Sequence, residues 1–327
     1  MQLYNKLSAN DRARIIDKSS QERITLSFYK YFKLRNPVLF RDNLYIIWAK
    51  LDILGRIYVA NEGINAQISV PKENINKFRA TLQDIIPLSA VKLNFALEHY
   101  SKSFLKLTIK IRKKIVADGL DDNTFDVTNI GEHLDAENFN KMLDDENTVC
   151  IDMRNHYESE IGFFRGAIKP DVDTFRQSLE RIDNELEKNG PKKNYLMYCT
   201  GGIRCEKASI FLKNKGFKNV FQLKGGILNY LNKTEKKDSL WKGECFVFDN
   251  RISLKHKLKQ GSFSMCSGCR TPLSVQDKKS NKYEEGVSCS RCYDTLTSTQ
   301  KSRFRMRQSQ INVAKKSGKK HKFQKEY

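Results

Sequence analysis

The chain has 327 residues, of which 30% are charged, and a formal net charge of +21, so it is long enough for two or three domains. No run approaches the ~20 apolar residues of a membrane span, and the polar start of the chain lacks the apolar region of a signal peptide. These features argue against a membrane partner and predict a cytoplasmic protein. The eight cysteines, four of them in Cys-x-x-Cys pairs, favour metal and catalytic roles over a disulfide framework.

The first part of the chain predicts a leader and a ferredoxin-like domain. Residues 1–22 are weakly patterned, with room for one short helix. Over residues 23–117 apolar residues recur every two residues in some segments and every 3.6 residues in others, as in alternating strands and helices. Strands are predicted at residues 24–30, 55–59, 66–70, 91–97 and 105–111, and helices at 38–51 and 72–86. The order β-α-β-β-α-β indicates a ferredoxin-like (acylphosphatase-like) domain, which serves either packing or RNA docking.

An α/β domain is predicted for residues 127–240, after an acidic linker at residues 118–126. Strand and helix patterns alternate in this part of the chain, which is typical of a parallel sheet. Helices are predicted at residues 138–143 and 173–188, the second stopped by an Asn-Gly-Pro sequence. The predicted fold class is therefore α/β with an α+β N-terminal module.

A reactive cysteine is predicted at the end of one strand of this domain. The apolar run at residues 195–198 indicates a buried strand, and a helical pattern starts at Cys205 and ends at Gly216. Cys199 follows the strand, and the loop after it consists of Thr200, Gly201, Gly202, Ile203 and Arg204. Loop amides, a helix N-terminus and the Arg204 charge all lower a thiol pKa and favour the nucleophilic thiolate. A buried structural cysteine is the alternative.

The neighbouring cysteines and the length of the loop indicate which reactions to expect of Cys199. Cys205 is close enough to Cys199 to act as a resolving thiol, with a structural role as the alternative, while Cys150 and Cys245 are predicted to be structural. Four residues separate Cys199 from Arg204, one fewer than in the phosphate-binding loop of cysteine phosphatases. The shorter loop suits a smaller group, such as a sulfur atom carried on the cysteine.

A metal site is predicted in residues 241–300, which begin with a short strand at residues 242–249. The spacing Cys-x₂-Cys-x₁₉-Cys-x₂-Cys lies in the range of four-thiolate zinc sites. Four thiolates leave no open coordination position, so the zinc is expected to be structural. An iron–sulfur cluster is the alternative. The predicted ligands are Cys266, Cys269, Cys289 and Cys292.

The end of the chain is strongly basic. From Arg251 to Tyr327 there are 19 Lys and Arg against 5 Asp and Glu, a net charge of +14. Residues 301–327 are predicted to be a disordered basic tail, within which residues 301–307 are compatible with a basic helix. Such a segment either contacts nucleic acid or only aids solubility. The candidate RNA contacts are Arg303, Arg305, Arg307, Lys315, Lys316, Lys319 and Lys320.

The loop around Cys199 resembles the active-site loop of rhodaneses, and two further segments agree. Asp152 and Arg154 end a strand as the rhodanese Asp-x-Arg sequence does, and by this resemblance they support the site. Residues 160–168 resemble the rhodanese Gly-His-Ile-x-Gly-Ala segment. Phe163 stands where the family usually has His, which leaves the role of that His open in this chain.

Over residues 20–310 the chain resembles one family, the bacterial rhodanese-domain proteins that act as tRNA uridine hydroxylases. The motifs that carry the resemblance are residues 60–65, 151–155, 198–208, 243–249 and 286–289. Family members usually continue Glu-Gly-Ile-Asn with Gly-Thr, where this chain has Ala66 and Gln67.

The resemblance implies oxygen-dependent 5-hydroxylation of the wobble uridine in tRNA anticodons, with Cys199 essential. It implies molecular oxygen as a co-substrate and tRNA as the partner. The sequence contains no flavin, haem or nucleotide motif and indicates no obligate protein partner. Two other interpretations stay open: a sulfurtransferase that carries a persulfide on Cys199, and a non-catalytic RNA-binding protein.

Overall fold

A computed structural model describes residues 3, 5, 7–19, 21–95, 103–116, 118–119, 129–249 and 251–317. Within these ranges, no helix is both long enough and apolar enough to span a membrane. Two sheets dominate the fold, one in each of the two larger parts of the chain, and a small cysteine-bearing part follows them.

The N-terminal part is a five-stranded sheet in the order β4-β1-β3-β2-β5. Its first four strands pair antiparallel, in the order that a ferredoxin-like domain requires, and β5 adds to the edge parallel to β2. The predicted ferredoxin-like fold is therefore confirmed, and β5 corresponds to the strand predicted for residues 105–111. The elements are α1 (Ala9–Ser19), β1 (Arg23–Tyr31), α2 (Pro37–Lys50), β2 (Leu54–Ala60), β3 (Gly63–Pro71), α3 (Ile75–Asp84), β4 (Asn94–Phe95) and β5 (Leu107–Ile111).

Two predicted elements of this domain differ in extent. The single helix predicted for residues 72–86 is wrong, because 3₁₀ turns at Lys72–Asn74 and Ile86–Leu88 flank a shorter α3. Helix α3 ends because Ile85 has an extended backbone, with φ of −95° and ψ of +95°, and Pro87 has no N–H group with which to continue the helix. The strand predicted for residues 91–97 is only β4 within the described residues, and residues 96–97 lie outside them.

The two faces of this sheet differ in chemistry because strand side chains alternate. Leu26 and Phe28 of β1 are buried on one face, where Phe28 contacts Trp48 of α2 and Phe78 of α3 edge-on or tilted. The alternate residues of β1 and β3 are polar and lie on the other face. That second face meets the second domain.

The second domain contains a parallel sheet, as predicted. Its four strands lie in the order β6-β10-β9-β7. Helix α6 begins at Phe175 and not at residue 173, because Thr174 and Gln177 form a capping box. Helix α7 begins two residues before the predicted Cys205. The elements are β6 (Glu132–Leu134), α4 (Ala136–Leu143), β7 (Thr148–Asp152), α5 (His156–Ser159), β8 (Gly162–Phe164), α6 (Phe175–Asn189), β9 (Asn194–Tyr198), α7 (Ile203–Asn214), β10 (Val220–Leu223) and α8 (Gly226–Lys233).

The C-terminal part consists of short hairpins and one long helix. The single strand predicted for residues 242–249 is wrong: Gly243, with a φ of +82°, divides it, and its two halves pair with different partners. The elements are β11 (Trp241–Gly243), β12 (Cys245–Phe246), β13 (Ser253–Leu254), β14 (Ser264–Met265), β15 (Pro272–Leu273) and α9 (Ser298–Lys316).

The prediction of a disordered tail from residue 301 is wrong over the described residues. Helix α9 starts with a capping box formed by Thr297 and Gln300. The side chain of Ile311 on this helix is buried. Residues 318–327, which include the candidate RNA contacts Lys319 and Lys320, lie outside the described part of the chain.

The segment predicted as an acidic linker contributes a buried charge where it is described. The Asp118 side chain lies 3.2 Å from Lys207 of α7, and Lys207 also forms an ion pair with Glu62 in the β2–β3 turn. Lys207 is 2% exposed and its ammonium lies 5.2 Å from the centre of the Tyr31 ring. This cluster ties the N-terminal domain to the helix that follows the Cys199 loop.

Candidate active site

Cys199 lies where β9 ends and α7 begins, at the carboxyl edge of the parallel sheet. The chain turns at Gly202, which caps α7 with a φ of +99°, a conformation that favours glycine. The Gly202 N–H donates a hydrogen bond of 3.1 Å to the Cys199 sulfur. The loop therefore curls around the sulfur and presents backbone N–H groups to it.

Helix α8 packs against this loop and is hydrogen-bonded to it. In the first turn of α8, the N–H groups of Ile227 and Leu228 donate to the carbonyl oxygens of Cys199 and Thr200 at 3.0 and 3.1 Å. Gly226 permits the close approach, because a Cβ atom there would lie 2.5 Å from the Cys199 carbonyl oxygen. The glycine pair after β10 therefore positions the cysteine loop.

The surroundings of Cys199 favour its thiolate. Burial opposes ionisation, but the hydrogen bond from the Cys205 thiol, the Arg204 charge and the amides of Cys205 and Arg204 outweigh it and lower the pKa of Cys199 to about 6. Burial and the neighbouring Cys199 raise the pKa of Cys205 well above its ordinary value, so Cys205 stays a protonated donor. At pH 7 the thiolate is then the main form of Cys199.

Arg204 is held by a carboxylate that the sequence analysis did not identify. Its two terminal nitrogens donate to the two oxygens of Glu158 at 2.6 and 2.9 Å. Burial alone would raise the pKa of Glu158, but the charge and hydrogen bonds of Arg204 lower it, so the carboxylate stays ionised. The sequence signal was the capping box formed by Asn155 and Glu158 at the start of α5.

Asp152 and Arg154 act behind the site, without contacting the thiol. Arg154 is fully buried and donates to the two oxygens of Asp152 at 2.9 and 2.6 Å. It also donates to the carbonyl oxygens of Glu158, at 3.2 Å, and Gly162, at 2.6 Å. This pair therefore positions α5, which carries Glu158.

Phe163, at the position of the usual rhodanese His, lies on β8. The centre of its ring is 3.8 Å from the Lys169 ammonium.

A cavity of about 530 Å³ lies over the loop, within the usual range for small-molecule sites. Cys199, Thr200, Gly201, Ile203 and Arg204 form its floor, and Cys199 is 0% exposed there. The polar face of the N-terminal sheet forms a second wall, and residues 247–258 contribute a third. Both larger domains thus enclose one space above the thiol.

A second hydrogen-bond network links the N-terminal domain to α7. The Tyr29 hydroxyl donates to Glu206 at 3.2 Å, and His133 and Gln222 approach the same carboxylate at 3.0 and 3.4 Å. Burial, and then the charge of Glu206, raise the pKa of Tyr29 well above its ordinary range, so the hydroxyl stays protonated. No sequence pattern pointed to Tyr29 or Glu206, because they are 177 residues apart.

The four cysteines predicted as metal ligands come together. Their sulfur atoms all lie within 4.8 Å of one another, and three of the pairs are separated by 3.6 to 3.8 Å. A tetrahedral zinc with four sulfur ligands at ~2.3 Å requires sulfur–sulfur distances of about 3.8 Å. The donor set therefore fits a closed four-thiolate metal site formed by Cys266, Cys269, Cys289 and Cys292.

The structure divides the predicted RNA contacts into two groups. Arg305 is paired with Glu284 through two bonds of 2.7 Å, and Arg307 donates to the Gly286 carbonyl at 3.1 Å, so both fasten α9 to the cysteine cluster. Arg305 and Arg307 therefore have partners within the chain, and their RNA contacts stay a prediction. Arg303, Lys315 and Lys316 are exposed on α9.

Comparison with known proteins agrees with this architecture. A family model described as a UPF0176 acylphosphatase like domain matches residues 23–115, and a rhodanese-like domain model matches residues 135–233. A solved rhodanese-like domain from Anabaena sp matches 31% of this chain and 74% of that chain at 19% identity, with a TM-score of only 0.26.

Three relatives share the name tRNA uridine(34) hydroxylase. The protein from Pelagibacter ubique is 51% identical over 308 residues, which are 92% of this chain and 98% of that protein. The protein from Leptospira interrogans is 49% identical over 82% of this chain and 72% of that protein. The protein from Hamiltonella defensa is 45% identical over 82% of this chain and 75% of that protein.

Proposed function

The chain belongs to the tRNA uridine(34) hydroxylase family, and we propose that it hydroxylates the wobble uridine of tRNA anticodons at C5 with Cys199 as the reactive residue. It is a tRNA-modifying oxidoreductase, and its substrate is tRNA. We place it in the cytoplasm, where tRNA is modified, and take molecular oxygen as its co-substrate.

One observation supports Cys199 most directly: a thiol with a pKa of about 6 at the floor of a cavity large enough for a nucleoside. In one route the thiolate adds to C6 of uracil, which makes C5 electron-rich for attack on an oxygen species. Loss of the C5 proton and of the thiolate then restores the ring. In the other route, oxidised Cys199 itself carries the oxygen to C5.

Either route inserts one oxygen atom into the C5–H bond. With molecular oxygen as the oxidant, the second oxygen atom leaves as water. The two electrons and two protons that this requires come from an external pair of thiols, which is oxidised to a disulfide. The Gly202 N–H and the charge of Arg204 stabilise negative charge on Cys199 before the addition and after the release.

We further propose that Cys266, Cys269, Cys289 and Cys292 hold a structural zinc ion. The sulfur distances suit this metal, and four thiolates leave no position for a substrate. The zinc would hold the two Cys-x-x-Cys turns together. Arg305 and Arg307 of α9 bond to Glu284 and Gly286, in the segment before the second turn, and Arg307 also bonds to the Ser267 carbonyl in the first.

A sulfurtransferase is the second candidate, because the chain matches a rhodanese-like domain and four residues separate Cys199 from Arg204. A persulfide on Cys199 would transfer its outer sulfur to cyanide and give thiocyanate. Rapid thiocyanate formation from thiosulfate and cyanide, without 5-hydroxyuridine in tRNA, would establish this activity in place of hydroxylation.

The deciding experiment is mass spectrometry of tRNA nucleosides from a deletion strain complemented with variants. Wild-type protein should restore 5-hydroxyuridine at the wobble position, and Cys199→Ser should restore none. Cys150→Ser, at a buried cysteine outside the loop, should restore the wild-type level if it folds. Wild-type amounts of 5-hydroxyuridine with Cys199→Ser would overturn the assignment of the reactive residue.

A further inference from the structure

The cavity wall opposite Cys199 belongs to the N-terminal domain, where polar side chains of β1 and β3 lie beside the apolar Leu93, Phe95 and Phe104. Helices α2 and α3 cover one face of the N-terminal sheet, around Leu26 and Phe28. On the other face, Ser27 of β1 lies directly across from Gln67 of β3, and all five of the alternate residues of these two strands that line the cavity carry hydrogen-bonding groups. These residues are Thr25, which is paired with the Ser103 hydroxyl at 2.8 Å, and Ser27, Tyr29, Asn65 and Gln67.

Such a face is unusual for a site that only packs two domains together. A buried domain interface ordinarily pairs its polar groups with each other or replaces them with apolar ones. Here Tyr29 is paired with Glu206, and Asn65 donates a long bond of 3.4 Å to the Ile115 carbonyl. Ser27 and Gln67 are half-buried and point toward the space above the thiol. The Gln67 side-chain amide therefore offers one hydrogen-bond donor group and one acceptor to a ligand in the cavity.

An aromatic ring and a cluster of lysines complete the cavity. Phe248 is 44% exposed at the cavity wall and is fixed edge-on against Phe246, with ring centres 5.1 Å apart. Lys92 and Lys233 line the same cavity. Partial burial, and then the charges of Lys233 and Lys224, lower the pKa of Lys92, which marks a group of like charges suited to anions.

We propose that this cavity binds one uridine nucleotide splayed out of an RNA loop, with the N-terminal sheet as the wall that reads its base. Gln67 presents its amide oxygen to uracil N3–H and its amide nitrogen to an adjacent uracil carbonyl. Phe248 supplies a stacking surface, and Lys92 and Lys233 contact the flanking phosphates. This inference rests on the proposed function, and it assigns the reading of the base to residues outside the rhodanese-like domain, Gln67 and Phe248.

The first test locates the base. An anticodon stem-loop with 4-thiouridine at the wobble position is bound to the full-length protein and photo-crosslinked, and the modified peptide is identified by mass spectrometry. The expected crosslinks lie in the peptides that contain β1 or β3, or at Phe248. Crosslinks confined to α9 or to the cysteine cluster would overturn the proposal.

The second test removes the amide without changing the volume of the side chain. Gln67→Leu should lower kcat/KM for hydroxylation by about tenfold or more, the size expected when a bidentate base contact is lost. The matched control is Gln83→Leu, at an exposed residue of α3 on the other side of the sheet, which should keep the wild-type rate. The ultraviolet absorbance of the Cys199 thiolate should be the same in both variants, which shows that the loop is intact. A wild-type rate in Gln67→Leu would overturn the assignment of Gln67.

The third test concerns the phosphates. The double variant Lys92→Gln, Lys233→Gln should bind the stem-loop more weakly and should reduce the slope of log K against log salt by about 1.4, which is two single-strand contacts. Lys77→Gln on α3 is the control and should leave the slope unchanged. An unchanged slope in the double variant would overturn the phosphate role.

The failure of this inference and the failure of the proposed function give different results. If the wild-type protein makes no 5-hydroxyuridine, the proposed function fails. If it makes 5-hydroxyuridine while the crosslinks lie elsewhere and Gln67→Leu is fully active, only the base-reading wall is wrong.

Discussion

Arg204 and Glu158 form a two-bond ion pair, with nitrogen–oxygen distances of 2.6 and 2.9 Å, beside the Cys199 thiol. The Arg204 side chain therefore has a fixed position next to Cys199, and its charge stabilises the thiolate. The pair is almost fully buried, with side-chain exposures of 10% for Arg204 and 0% for Glu158. A planar fork matches a carboxylate in a way that a lysine ammonium does not.

Arg204→Lys should therefore lower the hydroxylation rate at pH 7 by about tenfold or more, although the charge is kept. The loop loses one of its two bonds to Glu158, and the pKa of Cys199 should rise from its value of about 6. The control is Arg165→Lys, at an exposed arginine paired with Asp144, which should have no effect. Equal rates for both variants would contradict the role given to the fork.

The pH dependence of the reaction follows from the same thiol. The pKa of Cys199 is lowered to about 6, so the reactive thiolate is present above pH 6 and is lost as the pH falls through this value. Hydroxylation at saturating tRNA should rise with pH around a midpoint near 6. The ultraviolet absorbance of the thiolate, taken as wild-type minus Cys199→Ser, should follow the same curve. A midpoint near the ordinary cysteine pKa of about 8.5 would contradict the prediction.

Cys205 should affect the pKa of Cys199 without reacting itself. Its thiol donates to Cys199 and is one cause of the lowered Cys199 pKa. Cys205→Ser keeps a donor and should retain at least partial activity. Cys205→Ala removes the donor, so its activity should fall most below pH 7 and recover as the pH rises. Complete loss of activity at every pH in both variants, with normal folding, would indicate a resolving thiol.

The cysteine cluster should hold about one zinc ion per chain. Cys289→Ser should lose the metal and expose α9 to proteolysis, because Arg305 and Arg307 of this helix bond to Glu284 and Gly286, just before the second cysteine turn, and Arg307 also bonds to Ser267 in the first. Metal analysis and limited proteolysis measure the two effects, with Cys150→Ser as the control that keeps the metal. The absence of any metal from freshly purified, reduced protein would disprove the site, and a visible absorbance band would indicate an iron–sulfur cluster.

The exposed basic residues of α9 should contribute to tRNA affinity through phosphates. Replacing Arg303, Lys315 and Lys316 by glutamine should reduce the slope of log K against log salt by about 2, at 0.7 to 0.9 for each contact. The measurement is stem-loop and full tRNA binding between low and physiological salt.

The matched control for α9 is the triple replacement of Lys188, Lys192 and Lys193 by glutamine. These lysines lie around the start of β9, at the opposite end of that strand from Cys199. Their loss should leave the slope close to the wild-type value. An equal reduction in both triple variants would mean that α9 acts only through the overall charge.

Local patterns in the sequence predicted most of the architecture. The period of two in β1 and the period of 3.6 in the helices depend only on neighbouring residues, so the ferredoxin-like and parallel-sheet parts were predicted. The Cys199 loop and the two Cys-x-x-Cys turns are also local, since each is one short segment with a characteristic spacing. The errors fell at element ends, at Pro87 and Gly243, where one residue changes the backbone.

The sequence by itself determined the candidate reactive residue: Cys199, a cysteine between a strand and a helix, followed by glycines and Arg204. Only the tertiary structure decided what surrounds it. Glu158 reaches Arg204 from 46 residues away, and Tyr29 reaches Glu206 from 177 residues away. No periodicity encodes such pairs, because they depend on how the two sheets pack against each other. That packing places the polar face of the N-terminal sheet, with Gln67, over the thiol.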